Sequence, residues 1–358
     1  MATRPISDEF DNEERRPTGL AQLADPGRAL VSPLVDALLL WGAPMVVLAC
    51  LTLWLKGTEL AFGAASSEVA VYAFFFATII TYGHLVAVVP RAYMNPDVFS
   101  ANRFRLTVVP VVLIAALLIS PTVFIIAGIV AFFWDVHHSA MQTFGIARIY
   151  DFKAGNGPHW VRRTDLLLNW LLYVGPIFVG ASFVLHAGEL GRFSETPLSF
   201  LATAPGYLES GHGPLRYFAF AVWGVGIAWA AINYGRAMAQ GYNPPAHKIG
   251  LIAGTGAVTF LAWGYLPPLI AFATINIHHA LQYYVIVWMQ EGKRMTAMSR
   301  LGSRGAFALF VLFTAVVALG YDMATKLDSR FWLVPFLACS LLHFWYDGFV
   351  WSVRKKSV

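Results

Sequence analysis

Residues 121–147 read PTVFIIAGIVAFFWDVHHSAMQTFGIA, an apolar run opened by a proline and broken near its middle by Asp135, His137 and His138. About 20 apolar residues in a helix cross the roughly 30 Å hydrocarbon core of a bilayer, so this stretch predicts a transmembrane helix. Ionisable groups at that depth are expensive to keep and mark a functional site by default. Residues 268–290, PLIAFATINIHHALQYYVIVWMQ, repeat the theme. There Asn276-Ile277-His278-His279 mirrors Asp135-Val136-His137-His138, and Gln282 follows its doublet much as Gln142 does. Both stretches follow a proline break, Ser120-Pro121 and Pro267-Pro268, which points to an internally duplicated two-helix unit.

The rest of the chain agrees with a membrane setting. Of 358 residues, 58% are hydrophobic and 13% charged, where a soluble domain carries about a quarter charged residues. Apolar runs bounded by charge or proline fall at about 30–56, 69–90, 106–119, 121–147, 166–187, 216–239, 249–266, 268–290, 305–320 and 331–353. The predicted fold is an all-α, polytopic transmembrane bundle of about ten helices with short loops. Residues 1–29 form a polar tail, 30–353 one transmembrane domain, and 354–358 a basic tail. The first tail lacks the apolar core of a signal peptide, so the first helix is expected to direct insertion.

Charge orients the bundle. If successive helices alternate in direction, 20 of the 25 Lys and Arg fall on the side that holds both termini, and only three in the connections opposite. That asymmetry is the positive-inside signature and predicts cytoplasmic termini, in the inner membrane of a bacterium. It also accounts for the pI of 9.2 without nucleic acid, since no basic run is interleaved with aromatics in a soluble domain. Cys50 and Cys339 stand alone in apolar segments and form neither a disulfide framework nor a CxxC metal site.

Six of the ten histidines lie well inside predicted membrane segments: His84, His137, His138, His278, His279 and His343. All fall on helices running toward the cytoplasm, about 10–20 Å before Arg91, Arg148, Glu291 and Arg354 at 1.5 Å per residue. Four helices thus present imidazoles in one layer. Asp135 and His138 share a helix face at i, i+3, His138 and Gln142 at i, i+4, and His343 and Asp347 at i, i+4. Separate helix–helix hydrogen bonds are the bland alternative, but two doublets exceed what such bridging needs. His159, His212 and His247 sit in Gly/Pro-rich loops, and His186 near an outer helix end, and these read as ordinary.

The candidate metal ligands are therefore His84, Asp135, His137, His138, His278, His279, His343 and Asp347. Gln142, Gln282, Asn276 and Tyr346 are candidates for orienting them. Imidazole with carboxylate suits iron, zinc, copper or manganese, with iron preferred as one or two non-haem ions. Haem between facing histidines is a further option, and transport of metal ions or protons another.

In HHSAMQ, HHALQ, His84 and HFWYD, spread over four helices, the chain resembles histidine-rich integral-membrane non-haem iron enzymes: desaturases, alkane and sterol hydroxylases, and membrane carotenoid-cleaving oxygenases. The HxxxH and HxxHH boxes of the desaturases and hydroxylases are absent. The resemblance implies oxygen-dependent oxidation of a lipid or other hydrophobic substrate entering from the bilayer. It also implies electrons from a cytoplasmic donor, with the basic loop 146–165 as a docking surface. Arg148, at the cytoplasmic end of its helix, is a candidate for meeting an anionic substrate head group or a phospholipid.

Overall fold

A computed structural model describes residues 19–62, 67–180, 187–195, 199–266, 268–327 and 329–351. The predicted basic tail 354–358, most of the polar tail 1–29 and His186 lie outside the described residues. What is described is helical, with no strand among the described residues. The long helices are α1 (Ala43–Phe62), α2 (Ser67–Val86), α3 (Arg103–Ile119), α4 (Pro121–Lys153), α5 (Arg162–Val179), α6 (Ala204–Ala239), α7 (Ala246–Tyr265), α8 (Pro268–Ser299), α9 (Gly302–Lys326) and α10 (Arg330–Val350).

Five of these are long and apolar enough to cross a membrane: α4, α8, α9, α10 and the Gly213–Ala239 part of α6. A sixth arises if the bent pair Pro33–Leu40 and Ala43–Leu51 forms one broken span. The ten-span expectation is thus met in part. α3, at 17 residues, is at the lower limit for a span, and α5, at 18, opens on the charged run Arg162, Arg163 and Asp165. At 33 and 32 residues, α4 and α8 run about 50 Å and extend well beyond the hydrocarbon core.

Between α3 and α4 the chain breaks outright. Ser120 is extended (φ −116°, ψ 113°), its hydroxyl accepts from Val123 N at 3.2 Å, and Pro121 takes the first helical position. A serine cap followed by proline starts a new helix because the missing N–H is one the helix would leave unpaired anyway.

α8 is the axis of the bundle. Its apolar stretch is 67% buried, against 6% for α6, which lies at the periphery. From α8, Tyr283 and Val287 pack with Ala87, Val88, Leu342 and Phe349 on one side, and Ile275 packs with Val136, Ala140, Tyr173, Val258 and Trp263 on another. α2 approaches α8 and α9 very closely at Gly83, where a Cβ would stand 2.5 Å from the Tyr284 hydroxyl and 3.0 Å from the Thr314 carbonyl oxygen. That approach seats His84, the next residue, in the interior.

A buried ionic cluster ties the ends of α4, α5 and α7 together. Lys248 Nζ donates to Asp151 Oδ2 at 2.6 Å and to Asp165 Oδ2 at 2.8 Å, and Arg148 Nη1 reaches the same two oxygens at 2.7 and 2.9 Å. Tyr242 donates to Asp151 at 2.7 Å and Tyr234 to Asp165. Two acids and two bases cancel, so the cluster is buried without net charge.

Candidate metal centre

Four histidines from four helices meet inside this bundle: His84 from α2, His138 from α4, His279 from α8 and His343 from α10. All four are buried, and one nitrogen of each lies within 4.8 Å of the others. Their rings form a closed square, each edge-on to two neighbours. Centroids are 5.0 Å apart for His84–His279, 4.8 Å for His279–His138, 4.8 Å for His138–His343 and 4.9 Å for His343–His84.

The nitrogens at the centre lack ordinary partners. His84 Nδ1 donates to the Thr81 carbonyl, which leaves Nε2 as a bare acceptor with no hydrogen-bond partner among the described residues. Neither ring nitrogen of His279 has a partner there either. His138 Nε2 and His343 Nε2 face each other at 3.1 Å. Unpaired lone pairs are costly in an apolar interior. Two donors about 2.1 Å from one ion are at most about 4.2 Å apart, so small ring shifts would gather all four nitrogens on a metal. The donor set fits one.

Asp347 borders this group. Its Oδ2 lies 3.8 Å from His138 Nε2 and 3.9 Å from His343 Nε2, and its side chain keeps 15% exposure where the histidines keep almost none. Phe344 covers the His138 ring at 4.7 Å.

The other candidates are placed elsewhere. His137 points away from its neighbour and packs against Trp170 and Trp134, with centroids at 4.9 and 5.3 Å. Successive helical residues diverge by about 100°, so only one member of each doublet reaches the centre. His278 is buried apart from the group, with Nδ1 3.2 Å from the Thr274 carbonyl oxygen. Asp135 accepts from Asn276 Nδ2 at 2.8 Å, so its carboxylate is engaged by that amide and not by the four histidines.

Gln142 donates to the His279 carbonyl at 2.9 Å and to Gln282 Oε1 at 3.2 Å, while Gln282 donates to the Leu40 carbonyl at 2.8 Å. The two glutamines fasten α4 and α8 beside the site. Tyr346 turns to Tyr93, with hydroxyls 2.6 Å apart, and takes no part in the centre. Arg148 is committed to the ionic cluster and to the Trp160 and Pro158 carbonyls, so its guanidinium is not offered to a substrate.

Some residues passed unnoticed in the sequence. Thr81 orients His84, and its place one turn earlier on α2 is the only local sign of that role. Tyr283 and Trp351 hold Asp347, and Lys248 anchors the ionic cluster. His247, read as a loop residue, is fully buried at the start of α7 and stacks on Tyr150 at 5.1 Å.

Compared with known proteins, the chain matches no protein-family model, no curated sequence and no solved structure. Fold and site alone define it as an all-helical protein with membrane-length apolar helices around a buried four-histidine group able to hold a metal ion.

Proposed function

We propose that this chain is an integral-membrane, iron-dependent oxidoreductase of the oxygenase, hydroxylase or desaturase type, acting on a lipid or another hydrophobic molecule drawn from the bilayer. It belongs to a bacterial inner membrane, with about ten crossings and both termini in the cytoplasm. The observation that carries this reading is the buried convergence of His84, His138, His279 and His343, with His84 Nε2 and both ring nitrogens of His279 unpartnered among the described residues. Iron held by histidine and carboxylate with open positions supplies oxygen activation.

The protein's own residues do the rest. The four imidazoles hold one ion, and the separation of Asp135, His137 and His278 from the group favours one over two. Thr81 fixes the tautomer of His84. Burial of all four rings keeps water from the centre. Asp347 and Phe344, both partly accessible, mark the side from which a substrate approaches. Arg162 and Arg163, exposed at the start of α5, offer a docking surface for a cytoplasmic electron donor.

Haem is the runner-up, and spacing weighs against it. Rings 4.8–5.0 Å apart on all four sides leave no slot for a porphyrin plane. Metal content by plasma mass spectrometry, read with an absorption spectrum of detergent-purified protein, decides. About one iron per chain without a Soret band, lost in His138→Ala and His279→Ala, is the expected result. A Soret band would replace the proposal with electron transfer. Metal-free protein that is well folded would leave proton relay or helix bridging as the role of these residues.

A further inference from the structure

The carboxylate of Asp347 is held in an unusual way. Its Oδ1 accepts two hydrogen bonds, from the Tyr283 hydroxyl at 2.8 Å and from Trp351 Nε1 at 3.0 Å. Its Oδ2 is the oxygen turned to His138 and His343. Tyr283 also packs edge-on against two of the histidines, with centroids 4.8 Å from His343 and 6.0 Å from His84. Trp351 is fixed in turn by the Arg91 guanidinium, 5.2 Å over its ring, and Arg91 is itself paired with buried Glu291 at 2.6 Å.

The helix register makes this a matched arrangement. On α8, Tyr283 follows His279 by one turn, and on α10, Asp347 follows His343 by one turn, so each pair shares a face. One helix supplies a ligand and the group that steers the carboxylate, and the other supplies a ligand and the carboxylate itself.

Resting on the metal-centre reading above, we propose that Asp347 is a fifth, monodentate ligand through Oδ2, completing a four-histidine, one-carboxylate centre, and that Tyr283 and Trp351 are positioning residues that select which oxygen binds. Distances of 3.8 and 3.9 Å from Oδ2 to the two nitrogens fall within the roughly 4.2 Å allowed for two donors on one ion. Charge argues the same way. Four neutral imidazoles leave a divalent cation uncompensated in an apolar interior, and one carboxylate halves that charge. With Oδ1 occupied by two donors, a bidentate mode is closed and a coordination position stays open for a substrate or a small ligand. An anionic oxygen donor also moves the preference away from cuprous copper, toward iron, zinc or manganese.

Cobalt(II) is the probe, added to the purified full-length protein, because its visible bands report donor number and geometry. The wild type is expected to take up about one cobalt per chain. Tyr283→Phe and Trp351→Phe should each keep the metal but weaken binding roughly 10-fold, and Asp347→Asn roughly 100-fold with a changed visible spectrum. In the Asp347→Asn background, Tyr283→Phe should cost nothing more, because both changes act through one contact. A merely structural role for the tyrosine would lower thermal stability without moving the cobalt bands.

If cobalt binds and Asp347→Asn keeps the wild-type spectrum and affinity, the fifth-ligand proposal fails while the four-histidine centre stands. If the wild type takes up no cobalt, both fall together. Should Asp347→Asn not fold, the spectra of Tyr283→Phe and Trp351→Phe decide: wild-type bands in both would overturn the proposal.

Discussion

His138 Nε2 and His343 Nε2 lie 3.1 Å apart, although 205 residues separate them in the chain. Two bare lone pairs would repel at that distance, so a proton or a metal ion between them is required for the contact to be favourable. His84, whose Nδ1 donates to the Thr81 carbonyl, has no proton to offer from Nε2. The contact therefore ties the folding of α4 against α10 to what the site holds.

The two doublets should separate cleanly in experiment. His138→Ala and His279→Ala are expected to abolish stoichiometric metal, whereas His137→Ala and His278→Ala keep it. Elemental analysis of the four variants checks this. Metal loss in His137→Ala equal to that in His138→Ala would mean that the square is not the site.

Gly83 tests the close approach that seats His84. Gly83→Ala places a methyl 2.5 Å from the Tyr284 hydroxyl and 3.0 Å from a backbone carbonyl that cannot yield easily. The expected cost is about 1–3 kcal/mol, with weaker metal binding as α2 is pushed outward. Thermal unfolding with and without added metal measures both effects.

Lys248 should matter far more than a lysine paired at the surface. Its side chain and those of Asp151 and Asp165 are almost wholly buried, so Lys248→Met strands a carboxylate and should cost about 3–5 kcal/mol. Lys326, exposed and paired with Asp322 at 2.6 Å, should cost under about 1 kcal/mol when changed to alanine. Chemical unfolding of the two variants in detergent makes the comparison.

Acid should weaken the packing around His247. Burial holds its imidazole below the ordinary value, partly offset by Asp36 and Asp25, while Arg28 and Lys153 add to the lowering. The unfolded chain then takes up a proton more readily than the folded one. This contribution to stability is complete above about pH 6.5 and is lost progressively as pH falls below it. His247→Phe keeps a ring against Tyr150 without a titrating group. Between pH 7.5 and 5.5 its melting temperature should fall less than that of the wild type.

By itself the sequence determined that this protein is helical, with helices long and apolar enough to cross a membrane, because hydropathy and the scarcity of charge are local properties. It also pointed to the helices that carry the site, since a histidine in an apolar run stands out wherever the run packs. The proline break at Ser120-Pro121 was legible for the same reason: the missing N–H acts on its own turn.

Which histidine of each doublet faces inward was not legible. The sequence sets the 100° between His137 and His138, but only the packing of α4 on α8 and α10 decides which of the two directions is interior. Asp135 illustrates the same limit. Its need for a partner was evident, yet Asn276 on a helix 141 residues away met that need and not a metal. Tyr283, Trp351 and Lys248 carried no local signal, because an aromatic or a lysine in such a chain is ordinary until tertiary contact gives it a carboxylate to hold.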